Sequence, residues 1–324
     1  MAVYTHVEAE DASEFLSKYD VGKLRNFKAI AEGVENSNYL VETTKGRYFL
    51  TLYENRVDPA DLPFFHDLLD HLKRSGCKVP AFIADRSGAW LQQLCGRPAC
   101  LIEFLPGVSV SRPTSAQSHA VGRALGELHL ALRNFSGSRE NSLGLAGWEQ
   151  LATKCGNDAL EGISAGLSSR IADEFALLKA NWPNHLPRSI IHGDLFPDNV
   201  LMIGDQPPSL IDFYFACNEI RAYDIAVTHA AWSFSSDGSE YLPHIGTALL
   251  DGYGATHGLN DDHYTALPWL LRGASLRFLL TRCYDWINTP ADALVKRKDP
   301  LAFLRRLDFY ADSANIENVT GHRV

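Results

Sequence analysis

Three oxygen-bearing side chains in this chain are spaced as a phosphoryl-transfer site requires. In Ile190-Ile191-His192-Gly193-Asp194-Leu195-Phe196-Pro197-Asp198-Asn199-Val200-Leu201 an asparagine stands five residues after an aspartate, and Leu210-Ile211-Asp212-Phe213 brings a second aspartate soon after. In such a set one carboxylate takes or orients the acceptor hydroxyl, while the amide oxygen and the other carboxylate hold Mg²⁺ on nucleotide phosphates. Magnesium takes oxygen ligands at about 2.1 Å in near-octahedral order, so its two protein ligands must come from rigid neighbouring elements. Taken singly, each acid also fits a turn cap or a strand end. The joint pattern H-x-D-x-x-x-x-N followed by apolar-Ile-Asp-Phe is far rarer by chance.

The elements that must position these residues are legible in outline. Ile190-Ile191 and Leu210-Ile211 read as short buried strands, each running into an acidic motif. Upstream, residues 8–18 predict an amphipathic helix with Phe15 and Leu16 inward, followed by strands at 25–31, 39–44 and 47–53. Thr43-Thr44-Lys45-Gly46 makes the second hairpin, and the loop 32–38 is a candidate cover for phosphates through its backbone amides. A helix from Asp58 to about Arg74 buries Leu62, Phe65, Leu68, Leu69 and Leu72, and strands follow near 81–84, 89–95 and 99–104. Pro106-Gly107 then marks a boundary, predicting an α+β chain with a strand-rich lobe over 1–105 and a mostly helical lobe over 106–324.

Beyond the boundary, residues 115–134 predict a helix carrying Val121, Leu125, Leu128 and Leu132, with His129 as a packed, hydrogen-bonded residue. Residues 136–166 are poorly periodic, though Trp148 must pack somewhere. Helices are expected at 168–182, 223–232, 240–255, 262–287 and 299–312, with a frayed tail from Asn315.

Composition narrows the function classes. A formal charge of −9 argues against a nucleic-acid or anionic-membrane surface as main partner, yet leaves room for a nucleotide held by local amides and Mg²⁺. Cysteines 77, 95, 100, 155, 217 and 283 are scattered without a C-x-x-C pair, which suits a reducing interior better than a disulfide frame. The polar, acidic start is no signal peptide, and no run reaches the roughly 18–20 apolar residues that span a bilayer. A cytoplasmic location is expected. The twelve histidines show no zinc-type spacing.

His192-Gly193-Asp194 with Ile211-Asp212-Phe213, the strand-rich first part, the Pro-Gly hinge and the helical second part together resemble the aminoglycoside phosphotransferase and choline kinase branch of the protein-kinase-like superfamily. The resemblance implies a two-lobed kinase fold with ATP beneath the hinge, Asp194 as catalytic base, and Asn199 and Asp212 as Mg²⁺ ligands. It further implies adenine contacts from the Glu103 carbonyl and the Leu105 N–H, and phosphate cover from Gly33, Asn36, Ser37 and Asn38. Phe196 stands where protein kinases carry a lysine, and Tyr223 follows Asp212 by only eleven positions, too few for a peptide-binding activation segment. Both point to a small-molecule acceptor. Thr51 occupies the position of the usual phosphate-binding lysine, and the helix that should offer its glutamate partner reads Phe64-Phe65-His66-Asp67. Losing both members of an ion pair is coherent, since either charge alone is costly to bury. Lys45, Arg47 or loop amides are alternative phosphate holders.

Within that branch, Leu62-Pro63-Phe64-Phe65, the strand 48–54, Tyr223 through Thr228, and Arg272-Gly273-Ala274-Ser275-Leu276-Arg277-Phe278 with Arg282 are similar to the bacterial homoserine kinase family, Thr51 included. This implies transfer of the ATP γ-phosphoryl group to L-homoserine. A zwitterionic acceptor needs a cation for its carboxylate, and arginine pairs with both oxygens. Arg277 and Arg282 are the candidates, though each could equally tie its helix to Asp224 or Asp285. Asp224 is expected to support the catalytic loop, and Tyr214 and Trp232 are candidate walls of the acceptor site. Tyr214, Trp232, Trp269, Tyr284 and Trp286 could instead cage a quaternary ammonium such as choline. Methylthioribose or an aminoglycoside as acceptor, and a non-catalytic nucleotide-binding regulator, remain the other readings.

Overall fold

The computed structural model describes residues 5–30, 36–54, 57–289 and 297–321. They divide into two compact units: one takes residues up to Gly107 together with Ser209–Tyr214, and the other takes the remaining described residues.

In the first unit, helix α1 (Ala9–Ser17) precedes strands β1 (Leu24–Ile30), β2 (Asn36–Thr43) and β3 (Arg47–Tyr53). Helix α2 (Leu62–Arg74) follows, then β4 (Phe82–Ile83), β5 (Gln92–Leu94) and β6 (Arg97–Glu103). All pairings are antiparallel, in the order β1-β2-β3-β6-β4, with β5 also on β6. Side chains alternate across a strand, so Leu50, Leu52, Ala99 and Leu101 turn to one core with Phe15 and Leu16 of α1 and with Tyr19 just beyond it. Tyr53 and Cys100 turn to a second core with Leu62 and Phe65 of α2. Strand β2 begins at Asn36, three residues before the expected start, because Asn36, Ser37 and Asn38 pair with Tyr53, Leu52 and Thr51 of β3.

The second unit is helical: α3 (Ser115–Ala131), α4 (Leu145–Cys155), α5 (Asn157–Ile163), α6 (Leu167–Asn181), then strand β7 (Arg188–Ile191) and the two-residue strand β8 (Val200–Leu201). The equally short β9 (Ser209–Leu210) belongs to the first unit, and β10 (Cys217–Ile220) returns to the second, antiparallel to β7. Helices α7 (Arg221–Trp232), α8 (Pro243–Thr256), α9 (Asp261–Asn288), α10 (Leu301–Ala311) and α11 (Ser313–Thr320) complete it.

Two expectations are corrected here. Residues 136–166 are not irregular throughout but form α4 and α5, which bury Trp148, Cys155 and Leu160; they are stabilised by packing rather than by a regular apolar repeat. The tail is helical as far as Thr320, with the Asp312 side chain accepting from the Ala314 N–H as cap, and Ile316 and Val319 buried. Among the described residues no helix is long and apolar enough to cross a membrane, and all six cysteines are free thiols.

Candidate active site

The candidate catalytic loop leaves β7 at Ile191, whose Cα partner on β10 is Cys217. Its backbone is gripped by three side chains from two helices. The buried carboxylate of Asp224 on α7 accepts the His192 N–H at 2.7 Å and the Gly193 N–H at 2.8 Å. The Arg277 guanidinium on α9 donates through Nη1 to the Gly193 carbonyl. Trp232 at the end of α7, buried, donates its indole N–H to the Leu195 carbonyl at 2.9 Å. Gly193 itself adopts φ +75°, and a Cβ there would lie 3.0 Å from the Phe215 carbonyl oxygen, so this turn needs glycine.

Within the loop, Asn199 Nδ2 donates to the Asp194 carbonyl at 2.7 Å and to its Oδ2 at 3.1 Å. The Asp194 N–H donates to His192 Nδ1 at 3.2 Å, which makes that nitrogen an acceptor. With its amide nitrogen committed, Asn199 has its amide oxygen left for a cation.

A further layer holds Asp224. His129 on α3 bonds Asp224 Oδ2 through Nε2 at 3.0 Å and the Tyr253 hydroxyl through Nδ1 at 2.9 Å. Burial would push the Asp224 carboxyl up, but its hydrogen bond and charge interaction with His129, with His192 and the Gly193 N–H adding, hold it below the usual carboxylate range. Tyr253 can reach His129 because α3 and α8 meet backbone to backbone. A Cβ at Gly122 would sit 2.0 Å from the Leu249 carbonyl, and one at Gly252 2.1 Å from that of His119. Asp224 and His129 thus stand in the supporting and packed places expected of them. The grip of Arg277 and Trp232 on loop carbonyls was not legible, because nothing in residue spacing says which helix faces a loop. The small-residue pair Gly122 and Gly126 was the one available hint of a close helix crossing.

In the first unit, Asp212 is exposed and takes φ +64°, a left-handed conformation that few residues other than glycine adopt but that aspartate tolerates. It is flanked by anchors: the Leu210 N–H donates to the Lys78 carbonyl at 2.9 Å, and the Tyr214 hydroxyl lies 3.0 Å from that of Tyr53. Tyr214 also meets Phe65 edge-on, so it is part of the second core's rim. Thr51 donates to Asn38 Oδ1 at 2.8 Å, a neutral pair in the place expected for a lysine. Ser37 donates to Glu54 at 2.6 Å, and the Glu103 carboxylate engages Lys73 and the Ala81 N–H. Lys45 is exposed and paired with Asp20 at 2.6 Å, while Arg47 lies over Phe104, 4.4 Å from its centroid. Leu105 follows the end of β6. Gly33 lies outside the described residues.

Back in the second unit, Arg282 lies over Phe303, 4.5 Å from the ring centroid, and donates to the Asp299 carbonyl at 3.0 Å. Burial pushes its pKa down to about 10 against the opposing carboxylates of Asp299, Asp198 and Asp194, so it remains a cation at neutral pH. Three of the candidate cage aromatics are engaged elsewhere: Trp269 carries Arg272 at 4.9 Å, Trp286 carries Arg297 at 4.9 Å, and Trp232 serves the loop.

Residues 26–260 match the family described as "Phosphotransferase enzyme family". The chain belongs to that family. It is 51% identical over 316 residues to a protein of Xanthobacter autotrophicus named homoserine kinase, covering 97% of this chain and 98% of the relative. A protein of the same name from Zymomonas mobilis is 50% identical over 315 residues, with 97% and 98% covered. Among solved structures, a microcompartment-associated aminopropanol kinase superposes with a TM-score of 0.73 at 17% identity, covering 96% of this chain and 99% of that one. A choline kinase from Cryptosporidium parvum gives 0.67 at 14%, with 94% of each covered. These structures establish the α+β, protein-kinase-like fold. The chain is a small-molecule kinase.

Proposed function

We propose that this phosphotransferase is a homoserine kinase, moving the γ-phosphoryl group of ATP to the side-chain hydroxyl of L-homoserine and giving O-phospho-L-homoserine on the way to threonine. The observation that carries this reading is the 51% identity to a protein named homoserine kinase along almost the full length of both chains. At 14–17% identity, by contrast, the likeness to aminopropanol and choline kinases speaks for the fold and not for the acceptor.

Asp194 is assigned the acceptor hydroxyl. A carboxylate is too weak a base to deprotonate a free alcohol outright, but it can orient the O–H and accept the proton late, once a loose transition state has drawn charge off the nucleophile. The two hydrogen bonds from Asn199 limit the rotation of Asp194 and hold its backbone, which suits that role. Asn199 and Asp212 would hold Mg²⁺ with the phosphates of ATP, and both offer the hard oxygen donors the ion prefers. When bound, the ion offsets the charge growing on the leaving phosphate. Its remaining ligands would be mostly phosphate oxygens and water, as Mg²⁺ on a nucleotide ordinarily keeps.

For the nucleotide, Glu103 and Leu105 are assigned to adenine, and Gly33, Asn36, Ser37 and Asn38 to the phosphates. The Asn38–Thr51 pair replaces a charged lysine site, leaving backbone amides and Mg²⁺ to neutralise the phosphates. For the acceptor, Tyr214 and Arg282 are the candidate contacts. Arg282 suits the homoserine carboxylate because Phe303 backs its guanidinium and burial strengthens a charge-assisted bond.

The test is ADP release with Mg²⁺-ATP and, in turn, homoserine, choline, methylthioribose and kanamycin. Homoserine should stimulate release well above the acceptor-free rate. Stimulation by another acceptor and none by homoserine would remove the acceptor assignment while leaving the phosphotransferase intact. Nucleotide binding with no turnover on any of the four would favour a regulator.

A further inference from the structure

Arg277 carries a buried charge whose target is a backbone atom. It lies in the middle of α9 with 4% of its surface exposed, and its guanidinium is sandwiched near Phe278, 4.6 Å from the centroid, and Phe215, 5.4 Å. What it grips is the Gly193 carbonyl. Arg272, five residues earlier on the same helix, shows the ordinary solution, a two-point pair with the Glu174 carboxylate at 2.6 and 2.8 Å. A guanidinium brought out of water beside a peptide oxygen and the Tyr223 hydroxyl, with no carboxylate among the described residues paired to it, is costly unless that peptide's place matters.

The Gly193 peptide groups are held by opposite charges. Asp224 takes the Gly193 N–H from one side, and Arg277 takes the Gly193 carbonyl, which is bonded directly to the nitrogen of Asp194. The φ of +75° at Gly193 leaves the turn without the steric restraint a side chain would supply. The two charges therefore set the direction in which Asp194 leaves the turn.

The same geometry weighs against Arg277 as the anchor for an acceptor carboxylate. Two-point recognition of a carboxylate uses either the Nε–H with one Nη–H or both Nη groups end-on. Nε of Arg277 is buried, which closes the first face. The second would have to share Nη1 with the Gly193 carbonyl.

We propose that Arg277 is a positioning residue of the phosphoryl-transfer reaction, aiming Asp194 through the Gly193 carbonyl, and that it does not bind the acceptor. The kind of acceptor used as readout rests on the homoserine reading above. Displacing a reacting group by about 1 Å costs on the order of 100-fold in rate, and that is the scale expected here.

The experiment compares wild type, Arg277→Met and Arg277→Lys on homoserine and on 3-aminopropan-1-ol, which is homoserine without its carboxylate. For Arg277→Met, kcat should fall about 100-fold on both acceptors. KM for homoserine and for ATP should stay within about threefold, well under the tenfold step that losing a 1.4 kcal/mol contact produces. The preference for homoserine over the amino alcohol should be unchanged. Arg277→Lys keeps a buried donor and should recover part of the rate with the same KM values, and it carries the test if the methionine variant does not fold. A tenfold or larger rise in the homoserine KM with kcat retained and the preference lost would overturn the proposal, as would wild-type kcat in both variants. If wild type proves to use a different acceptor, the homoserine reading falls, and the kcat and KM pattern on that acceptor still decides the role of Arg277.

Discussion

Asn199 donates from one amide nitrogen to both the carbonyl and the carboxylate of Asp194, at 2.7 and 3.1 Å. The residue proposed to hold magnesium is thus also the one that restrains the proposed base. Asn199→Ala should lose both functions together. We expect a fall in turnover of at least ~100-fold, the general-base scale, accompanied by a higher Mg²⁺ requirement. Asp194→Ala should show the same fall in rate while Mg²⁺-ATP still binds, as measured by calorimetric titration. Near-normal turnover in Asp194→Ala would take that residue out of the reaction.

Asp212 joins an unusual backbone conformation to a proposed metal role, and substitutions can separate the two. Asparagine tolerates φ +64° nearly as well as aspartate. Asp212→Asn should therefore melt close to wild type but need more Mg²⁺ for half-maximal rate. Asp212→Ala should lose stability as well, by about 1 kcal/mol for a residue without a polar side chain held in the left-handed region. A Mg²⁺ dependence unchanged in Asp212→Asn would count against the metal role.

Gly193→Ala tests the turn itself. A methyl group there meets the Phe215 carbonyl at 3.0 Å in a backbone conformation that L residues avoid. Destabilisation of about 1–3 kcal/mol, read from urea midpoints, should come with a loss of turnover larger than the change in either KM. Wild-type turnover would mean that the loop tolerates displacement, and the grip of Asp224 and Arg277 would then lack catalytic meaning.

For the acceptor, Arg282→Met should raise the KM for homoserine by about 10- to 100-fold, the scale of one charge-assisted bond. Its kcat should change less, and 3-aminopropan-1-ol should be used as poorly or as well as before. Equal losses on both acceptors would place Arg282 in the loop's support instead.

Stability should fall on mild acidification through His229. Burial pushes this imidazole down to about 3, with Nδ1 2.7 Å from the Tyr310 hydroxyl, whereas the unfolded chain titrates near 6.5. Between those values the unfolded state binds the extra proton. The contribution of the neutral ring is therefore complete above pH 6.5 and diminishes as pH falls toward 3, by up to about 1.4 kcal/mol per pH unit. Urea unfolding at pH 7.5, 6 and 5 should show this slope, and His229→Gln should be less stable throughout but flatter. An equal slope in the variant would assign the acid sensitivity to other groups.

Much of the fold could be read from pattern alone, since the apolar stripes of α2 and α3 and the alternation in β3 encode their own burial. Helices α4, α5 and α11 could not, because they draw their stability from surfaces supplied by distant parts of the chain. The start of β2 at Asn36 was hidden for a related reason: Ser37 and Asn38 look like loop residues until Glu54 and Thr51 stand opposite them.

Sequence alone pointed to the class of reaction, through an aspartate, an asparagine and a second aspartate at the spacing of 194, 199 and 212, and the chain's membership of a phosphotransferase family agrees. Only tertiary structure decided what holds that chemistry still. The loop's N–H and carbonyl groups are satisfied by Asp224, Arg277 and Trp232, residues 31 to 84 positions away. A local motif specifies which atoms react, but the partners of a buried backbone group are set by which helices the fold brings beside it.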